Sequence, residues 1–381
     1  MHSPPRPRPR LPPSRAAAAA AAAIFAASSA AADQTVSATD AAHVSPLGRP
    51  YAAPGGGLGL SWLGAGVRVA HTGGVLRATF GVAGRSFKVA FFQSNSGAQH
   101  FEGNSWVPAS GANESVAIAS GGGTVDVVLN MPPQYFEGGA SGATLLSLTS
   151  VGGSFLAAPG RPARVLHVLG DSITAATNVH GGTAPCGDEG YEADYSASWA
   201  GILCLFFDAS CSTVAVGGKC LLNECGGTQM QQYYRQSRMV DAGATFDFAA
   251  DRANAPVAFL SYLGTNDARM NLWPQFTAEY LVLMRNVTRD YYPGANVTFF
   301  LILGPMQPNA PAAAHVAAVE QGTAAGFRVV LVNATAACTA DLSGCVDGCA
   351  THPGVGSHRN IARTAAPIIA AELGWPMPGT L

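Results

Sequence analysis

Charge is what this sequence of 381 residues most lacks: only 12% of it is Asp, Glu, Lys or Arg, about half of the roughly 25% usual in soluble domains. The charges nearly cancel, with 21 basic against 23 acidic residues for a formal net of −2. No electrostatic footprint is present for nucleic acid or for an acidic lipid surface. Long apolar runs are absent beyond one alanine tract near the start, so nothing later supplies the roughly 20 uninterrupted residues of a spanning helix. That tract also carries much of the mean hydropathy of +0.19. Cysteine is missing before residue 186, and the later ones lack the paired C-x-x-C spacing of a zinc site. The G-x-S-x-G elbow is missing too, which disfavours an ordinary α/β-hydrolase. Glycine (45) and proline (25) are plentiful, but runs rich in Val, Leu and Phe exclude collagen and a wholly disordered chain.

What is present begins with a leader. Arg6, Arg8, Arg10 and Arg15 precede an apolar core of Ala16 to Ala27 with Ile24 and Phe25, and Ala30-Ala31-Ala32 stands before Asp33. This order reads as a secretory signal over 1–32, removed at a small-residue site; an uncleaved anchor or an organelle transit peptide has a similar composition. Four glycosylation sequons begin at Asn113, Asn286, Asn296 and Asn333. The eight cysteines, Cys186, Cys204, Cys211, Cys220, Cys225, Cys338, Cys345 and Cys349, suggest up to four disulfides in an oxidising compartment. Secretion to the extracellular space is the expectation these features share.

Composition divides the remainder. Residues 33–57 read as a flexible, Gly/Pro/Ala-rich lead-in segment. From 58 to 158 short period-two runs recur between glycine-rich turns: Val67 and Val69, Leu76 to Phe80, Phe87 to Phe91, Val125 to Leu129, Leu146 and Leu148. Strands that bury one face each predict a β-sandwich. After a linker over Ala157–Pro162, residues 163–381 alternate compact apolar runs with helical patterns. The runs are Val165–Leu169, Thr213–Val216, Val257–Leu263, Val297–Leu303 and Val329–Val332; the helices are Ser196–Phe207, Phe276–Tyr291 and His358–Leu373. This predicts an α/β three-layer parallel sheet with its chemistry at the carboxyl ends of the strands.

Three motifs stand at those ends. Gly170-Asp171-Ser172-Ile173 follows the first strand, where a serine at a strand-to-helix turn would have an exposed hydroxyl and nearby helix amides. Leu263-Gly264-Thr265-Asn266-Asp267 follows the third and offers an amide donor to an oxyanion. Thr351-His352-Pro353 follows the last strand and supplies a base. Singly, each is also an ordinary cap or turn; their order at three strand ends is the signal.

With these motifs the chain resembles the SGNH, or GDSL-type, serine esterases, and in particular the two-domain carbohydrate esterase family 2 acetylesterases. Trp62-Leu63-Gly64-Ala65-Gly66-Val67 with His71-Thr72-Gly73, and Tyr292-Pro293-Gly294-Ala295 before Gly304-Pro305, are similar to further segments of that family. The resemblance implies an SGNH-hydrolase (flavodoxin-like) fold behind a jelly-roll-like β-sandwich, no metal or organic cofactor, and an acetylated polysaccharide or oligosaccharide as substrate. Carried over by position, Ser172 is the nucleophile and His352 its general base. The oxyanion hole is the Ser172 amide, the Gly218 amide and the Asn266 side chain. Two departures matter. Gly217 stands where the family usually has Ser. The pattern Asp-x-x-His-Pro would need Asp at 349, which is Cys349, so His352 is held by a backbone carbonyl, by Asp347, or by nothing. Trp273 is a candidate sugar platform, and Tyr191 and Tyr195 candidates for a second cleft wall. The alternatives are a GDSL-type lipase or thioesterase with the same site, and a catalytically impaired carbohydrate-binding protein.

Overall fold

The computed structural model describes residues 32–81, 85–95, 98–108, 113–136, 143–180, 192–223, 227–306, 311–338, 348–349 and 352–381. Its first part is built by alternation. In Val75–Gly81, Leu76, Ala78 and Phe80 are fully buried while their neighbours face outward, as a pleated strand with one covered face requires. Among the described residues this part has eleven strands: β1 (Gln34–Ser37), β2 (Val44–Leu47), β3 (Tyr51–Ala52), β4 (Leu58–Leu60), β5 (Gly66–His71), β6 (Val75–Gly81), β7 (Phe87–Asn95), β8 (Ala98–Val107), β9 (Asn113–Ala119), β10 (Gly123–Leu129) and β11 (Ala143–Val151). A one-turn helix, α1 (Pro133–Phe136), precedes the last of them. One antiparallel sheet has the order β3-β4-β11-β6-β9 with β1 also on β11, and the other the order β2-β5-β10-β7-β8. Leu60, Phe80 and Leu148 of the first sheet share a core with Val67, Phe91 and Val127 of the second. Two sheets about one apolar layer make a β-sandwich.

The lead-in segment 33–57 corrects its expectation. It is not loose: β1, β2 and β3 lie within it and pair with strands of both sheets. These pieces are too short to show a period of their own, and their partners supply the order.

The second part runs β12 (Arg164–Gly170), α2 (Trp199–Phe206), β13 (Ala209–Ala215), α3 (Met230–Arg235), β14 (Ala258–Tyr262), α4 (Trp273–Arg285), β15 (Thr298–Leu303), α5 (Pro311–Ala324), β16 (Arg328–Asn333) and α6 (Val355–Leu373). All strand pairs are parallel, in the order β13-β12-β14-β15-β16. Side chains of α2 and α6 cover one face with Leu166, Leu260 and Phe300; those of α3, α4 and α5 cover the other with Phe259, Phe299 and Leu301. With both faces covered, β14 and β15 are buried along their whole length, as their continuous apolar runs indicate. In this order β12 lies between its two successors, and the crevice at that switch point is where such sheets bind ligands. Among the described residues, no helix is long and apolar enough to cross a membrane.

The sandwich docks on the α/β part through named residues. Leu63 bridges to Thr213 of β13, and the fully buried Trp62 donates its indole N–H to the Gln236 carbonyl at 3.0 Å. Arg49 is buried with its guanidinium over the Tyr234 and Phe246 rings, at 4.4 and 4.1 Å from their centroids. Leu47, Ala90, Phe92 and Val128 form a small apolar patch against Leu205. Each such fully buried large side chain contributes about 1.5–3 kcal/mol relative to exposure. The β-sandwich is thereby fixed beside β13, at the edge nearest Ser172.

Candidate active site

Backbone hydrogen bonds gather the strand ends. Val216 donates its amide to the Gly170 carbonyl at 3.2 Å, which ties the exit of β13 to the exit of β12. A methyl placed on Gly217 would lie 3.6 Å from the Ser172 Cβ. Next to it, Gly218 is exposed with φ +74°, a conformation that favours glycine. Asn266, beyond β14, is 7% exposed and donates from Nδ2 to the Lys219 carbonyl at 3.0 Å, with Asp171 Oδ2 at 3.4 Å. Ser172, Gly218 and Asn266 are therefore grouped at the carboxyl ends of three adjacent strands, β12, the edge strand β13 and β14.

The loop carrying His352 is stitched to the turn that follows Ser172. Thr177 donates its amide to the Ser172 carbonyl at 3.0 Å, Cys349 donates to the Asn178 carbonyl at 3.1 Å, and His352 donates its own amide to the Cys349 carbonyl at 3.1 Å. Ser172 and His352 are both half-buried. Asp347, a candidate to orient His352, lies outside the described residues. Cys349, in this loop, is disulfide-bonded. The segment after Ser172 differs from expectation: residues 172–180 form a compact turn rather than a helix. Ala176 and Asn178 take left-handed φ values of +54° and +58°, which no α-helix continues.

Buried acids underlie the site. Asp171 is fully buried, and its carboxyl is pushed up to about 7 by burial and the nearby Asp267, against the pull of the Ile173 amide. Burial also raises Asp267, although the Leu221 and Leu222 amides donate to it. Behind the loop, His358 on α6 is held down at about 3 by burial and by the proximity of His352. It accepts a hydrogen bond from the Trp199 amide at 3.1 Å, so it serves as a buried neutral acceptor.

Other expected residues are placed differently. Trp273 is the first residue of α4, half-buried and edge-on to Phe276 at 5.6 Å. Tyr195 is no cleft wall: it is buried in the core with its hydroxyl on Thr213 Oγ1 at 2.7 Å. Tyr191 lies outside the described residues. A cavity of about 660 Å³, lined by Tyr51, Arg161, Phe246 and Asp251 among others, contains none of Ser172, Gly218, Asn266 and His352; chemistry rather than size locates the site.

One residue near Ser172 had no signal in the sequence. Gln134, on α1 of the β-sandwich, brings its Nε2 to 2.9 Å from the position a Gly217 Cβ would occupy. A serine at 217 would displace the Gln134 amide, a shift the flexible glutamine side chain can make.

No protein-family profile matches the chain, and no curated protein matches it by sequence. Solved structures do. A family two carbohydrate esterase from Cellvibrio japonicus superposes with a TM-score of 0.73 at 20% identity, over 90% of this chain and 99% of that one. One from Clostridium thermocellum, in complex with cellohexaose, gives 0.72 at 21% identity, over 87% and 100%. An acetyl xylan esterase from the rumen bacterium Butyrivibrio proteoclasticus gives 0.73 at 18% identity, over 91% and 100%. Across both its antiparallel and its parallel sheets, this chain has the fold of the family two carbohydrate esterases.

Proposed function

We propose that the protein is a serine carbohydrate esterase of the SGNH type that removes O-acetyl groups from a polysaccharide through an acetyl-Ser172 intermediate. The observation that carries this reading is the convergence of Ser172, Gly218 and Asn266 at three strand ends, with the His352 loop hydrogen-bonded to the Ser172 turn. His352 takes the hydroxyl proton as Ser172 Oγ bonds to the acetyl carbonyl carbon. The oxygen of that carbonyl becomes an anion facing the Ser172 and Gly218 amides and the Asn266 Nδ2. His352 returns the proton to the departing sugar oxygen as the ester C–O bond breaks. Water, deprotonated by the same imidazole, then attacks the acetyl-serine; the acyl C–Oγ bond breaks, the imidazolium returns its proton to Ser172 Oγ, and acetate leaves as the acid. Donors already fixed around the carbonyl oxygen stabilise the charge as it develops, which is the main source of rate in such sites.

Further parts of the reading have their own support. The sandwich strand orders β4-β11-β6-β9 and β5-β10-β7-β8 support a jelly-roll-like module over 58–158, with the hydrolase over 163–381. The Cys204–Cys211 bridge and the disulfide-bonded Cys220 and Cys349 support a secreted protein made in an oxidising compartment after loss of 1–32. Asn113, Asn296 and Asn333 are exposed enough to carry glycans, whereas the Asn286 Nδ2 is committed to Gln231 at 3.2 Å. The low charge suits a neutral sugar ester, and the similar cellohexaose-bound esterase supports a carbohydrate ligand.

The test is acetate release from acetylated xylan and from 4-nitrophenyl acetate by the wild type and Ser172→Ala. A loss of about 10⁴-fold or more is expected for the variant. Equal rates, or no release by the wild type, would overturn the reading.

A further inference from the structure

The β-sandwich places an amide without partners against the nucleophile. α1 leaves the core of the sandwich after the buried Met131. It is held over the Ser172 turn by its neighbours: Tyr135 donates its hydroxyl to Thr177 Oγ1 at 3.5 Å, and Asn130 donates to Asp194 Oδ1 at 2.9 Å. Gln134 is itself only half-buried, yet both its Nε2 and its Oε1 are buried and neither makes a hydrogen bond. Nε2 occupies the room left by the missing side chain of Gly217, on whose side Ser172 Cβ also lies.

Leaving both a donor and an acceptor buried and unpaired is unfavourable, and native structures keep such groups rarely and for a reason. A crowded core position does not supply the reason, because an apolar side chain of the same length would fill the space without the penalty. A substrate does. A carboxamide offers one N–H donor and one carbonyl acceptor side by side, which complements two adjacent sugar hydroxyls, one accepting and one donating. A site with polar groups awaiting hydroxyls also discriminates strongly against esters that lack them. The amide is closed off from solvent, so contact with a sugar needs a rotamer change. The three side-chain torsions of a half-exposed glutamine permit one quickly.

We propose that Gln134 is a substrate-reading residue contributed by the β-sandwich, which hydrogen-bonds hydroxyls of the sugar carrying the acetyl group. This rests on the carbohydrate esterase reading, and the two are separable by experiment. Gln134→Met keeps the bulk and removes the amide; Gln134→Ala removes both. For Gln134→Met, kcat/KM on acetylated xylo-oligosaccharide should fall by about tenfold to a hundredfold. Turnover of 4-nitrophenyl acetate, which has no sugar hydroxyls, should stay within about twofold. The melting temperature should hold or rise, since a buried unpaired amide has been removed.

Parallel losses on both esters, or a fall in melting temperature with both variants, would assign Gln134 to the packing of the two sheets and overturn the proposal. Unchanged turnover of both esters would overturn it too. Calorimetric binding of unacetylated xylohexaose separates the two readings. If the wild type binds the sugar but turns over no ester, the esterase reading fails. A tenfold weaker binding by Gln134→Met then still upholds the assignment, and equal binding, or none by the wild type, ends it.

Discussion

Two polar regions lie where the β-sandwich meets the α/β part, and they are built in opposite ways. In the first, Arg68 donates to both carboxylate oxygens of Asp126 at 2.7 and 2.9 Å and to Asp208 at 2.9 Å. Asp194 accepts from His180, Asn104 and Asn130 at 2.8 to 2.9 Å and from Ser196. In the second, around Ser172, the amides of Gln134 and Asn178 and the hydroxyl of Thr174 are buried and make no hydrogen bond. The acids show the same contrast. Burial alone would raise Asp194, but its hydrogen bonds prevail and bring it down to about 2, whereas Asp171 is pushed up to about 7. Burial with partners holds two units together. Burial without them costs stability.

The contrast breaks most visibly at Arg68. Its side chain and that of Asp126 are 7% and 6% exposed, so Arg68→Met leaves a buried carboxylate without its cation, at a cost of about 3–5 kcal/mol. Urea denaturation followed by fluorescence measures it, and a loss below about 1 kcal/mol would mean that water reaches Asp126 and that the first region is not closed. Asn266→Ala acts on the second region. On the proposed mechanism it removes one oxyanion donor and should lower kcat by about 10²–10³-fold, or roughly 3–4 kcal/mol of transition-state stabilisation. Its folding stability should change little; an equal fall in stability would make Asn266 a structural clamp on Lys219 and nothing more.

A subtler effect comes from pH. The carboxyl of Asp171 stands above its unfolded value of about 3.9. Its contribution to stability is therefore complete below that pH and is lost as pH rises through about 7. Asp194 has the opposite sign: its contribution is present above about 4 and lost as pH falls towards about 2. Between pH 4 and 7 only the first term changes. Stability of the wild type relative to Asp171→Asn should thus decline across that window, by at most about 1.4 kcal/mol per unit. Asparagine retains an oxygen for the Ile173 amide. A difference that stays flat between pH 4 and 7 would show that Asp171 ionises freely.

The sequence made one of these regions more legible than the other. β5, β6, β7, β10 and β11 show their buried faces in a period of two, and the five apolar runs after Arg164 are the five parallel strands. His352 lies well beyond β16, whereas the motifs around Ser172 and Asn266 follow β12 and β14 directly and were readable because motif and strand end coincide. β8 and β9 were not, because polar residues such as Gln99, His100, Asn104 and Glu114 interrupt any apolar period. Nor was the turn after Ser172, whose left-handed Ala176 no propensity predicts. Gln134 was invisible for a deeper reason. It belongs to no motif, and its chemistry exists only once two separately folded sheets have docked.

The smallest expected effect tests where the two regions meet. His180 ends the Ser172 turn and donates to Asp194 from Nε2 at 2.8 Å, but its side chain is 45% exposed. An ion pair open to water on one side is worth about 0–1 kcal/mol. After His180→Ala, Asp194 would keep Asn104, Asn130 and Ser196 as donors, so no buried charge is stranded. A melting temperature within about 2 °C of the wild type and turnover of 4-nitrophenyl acetate within about twofold are expected. If turnover falls sharply while the melting temperature holds, the partnered network must be holding the nucleophile turn in place. The division between a structural region and a functional one would then run through Asp194 rather than beside it.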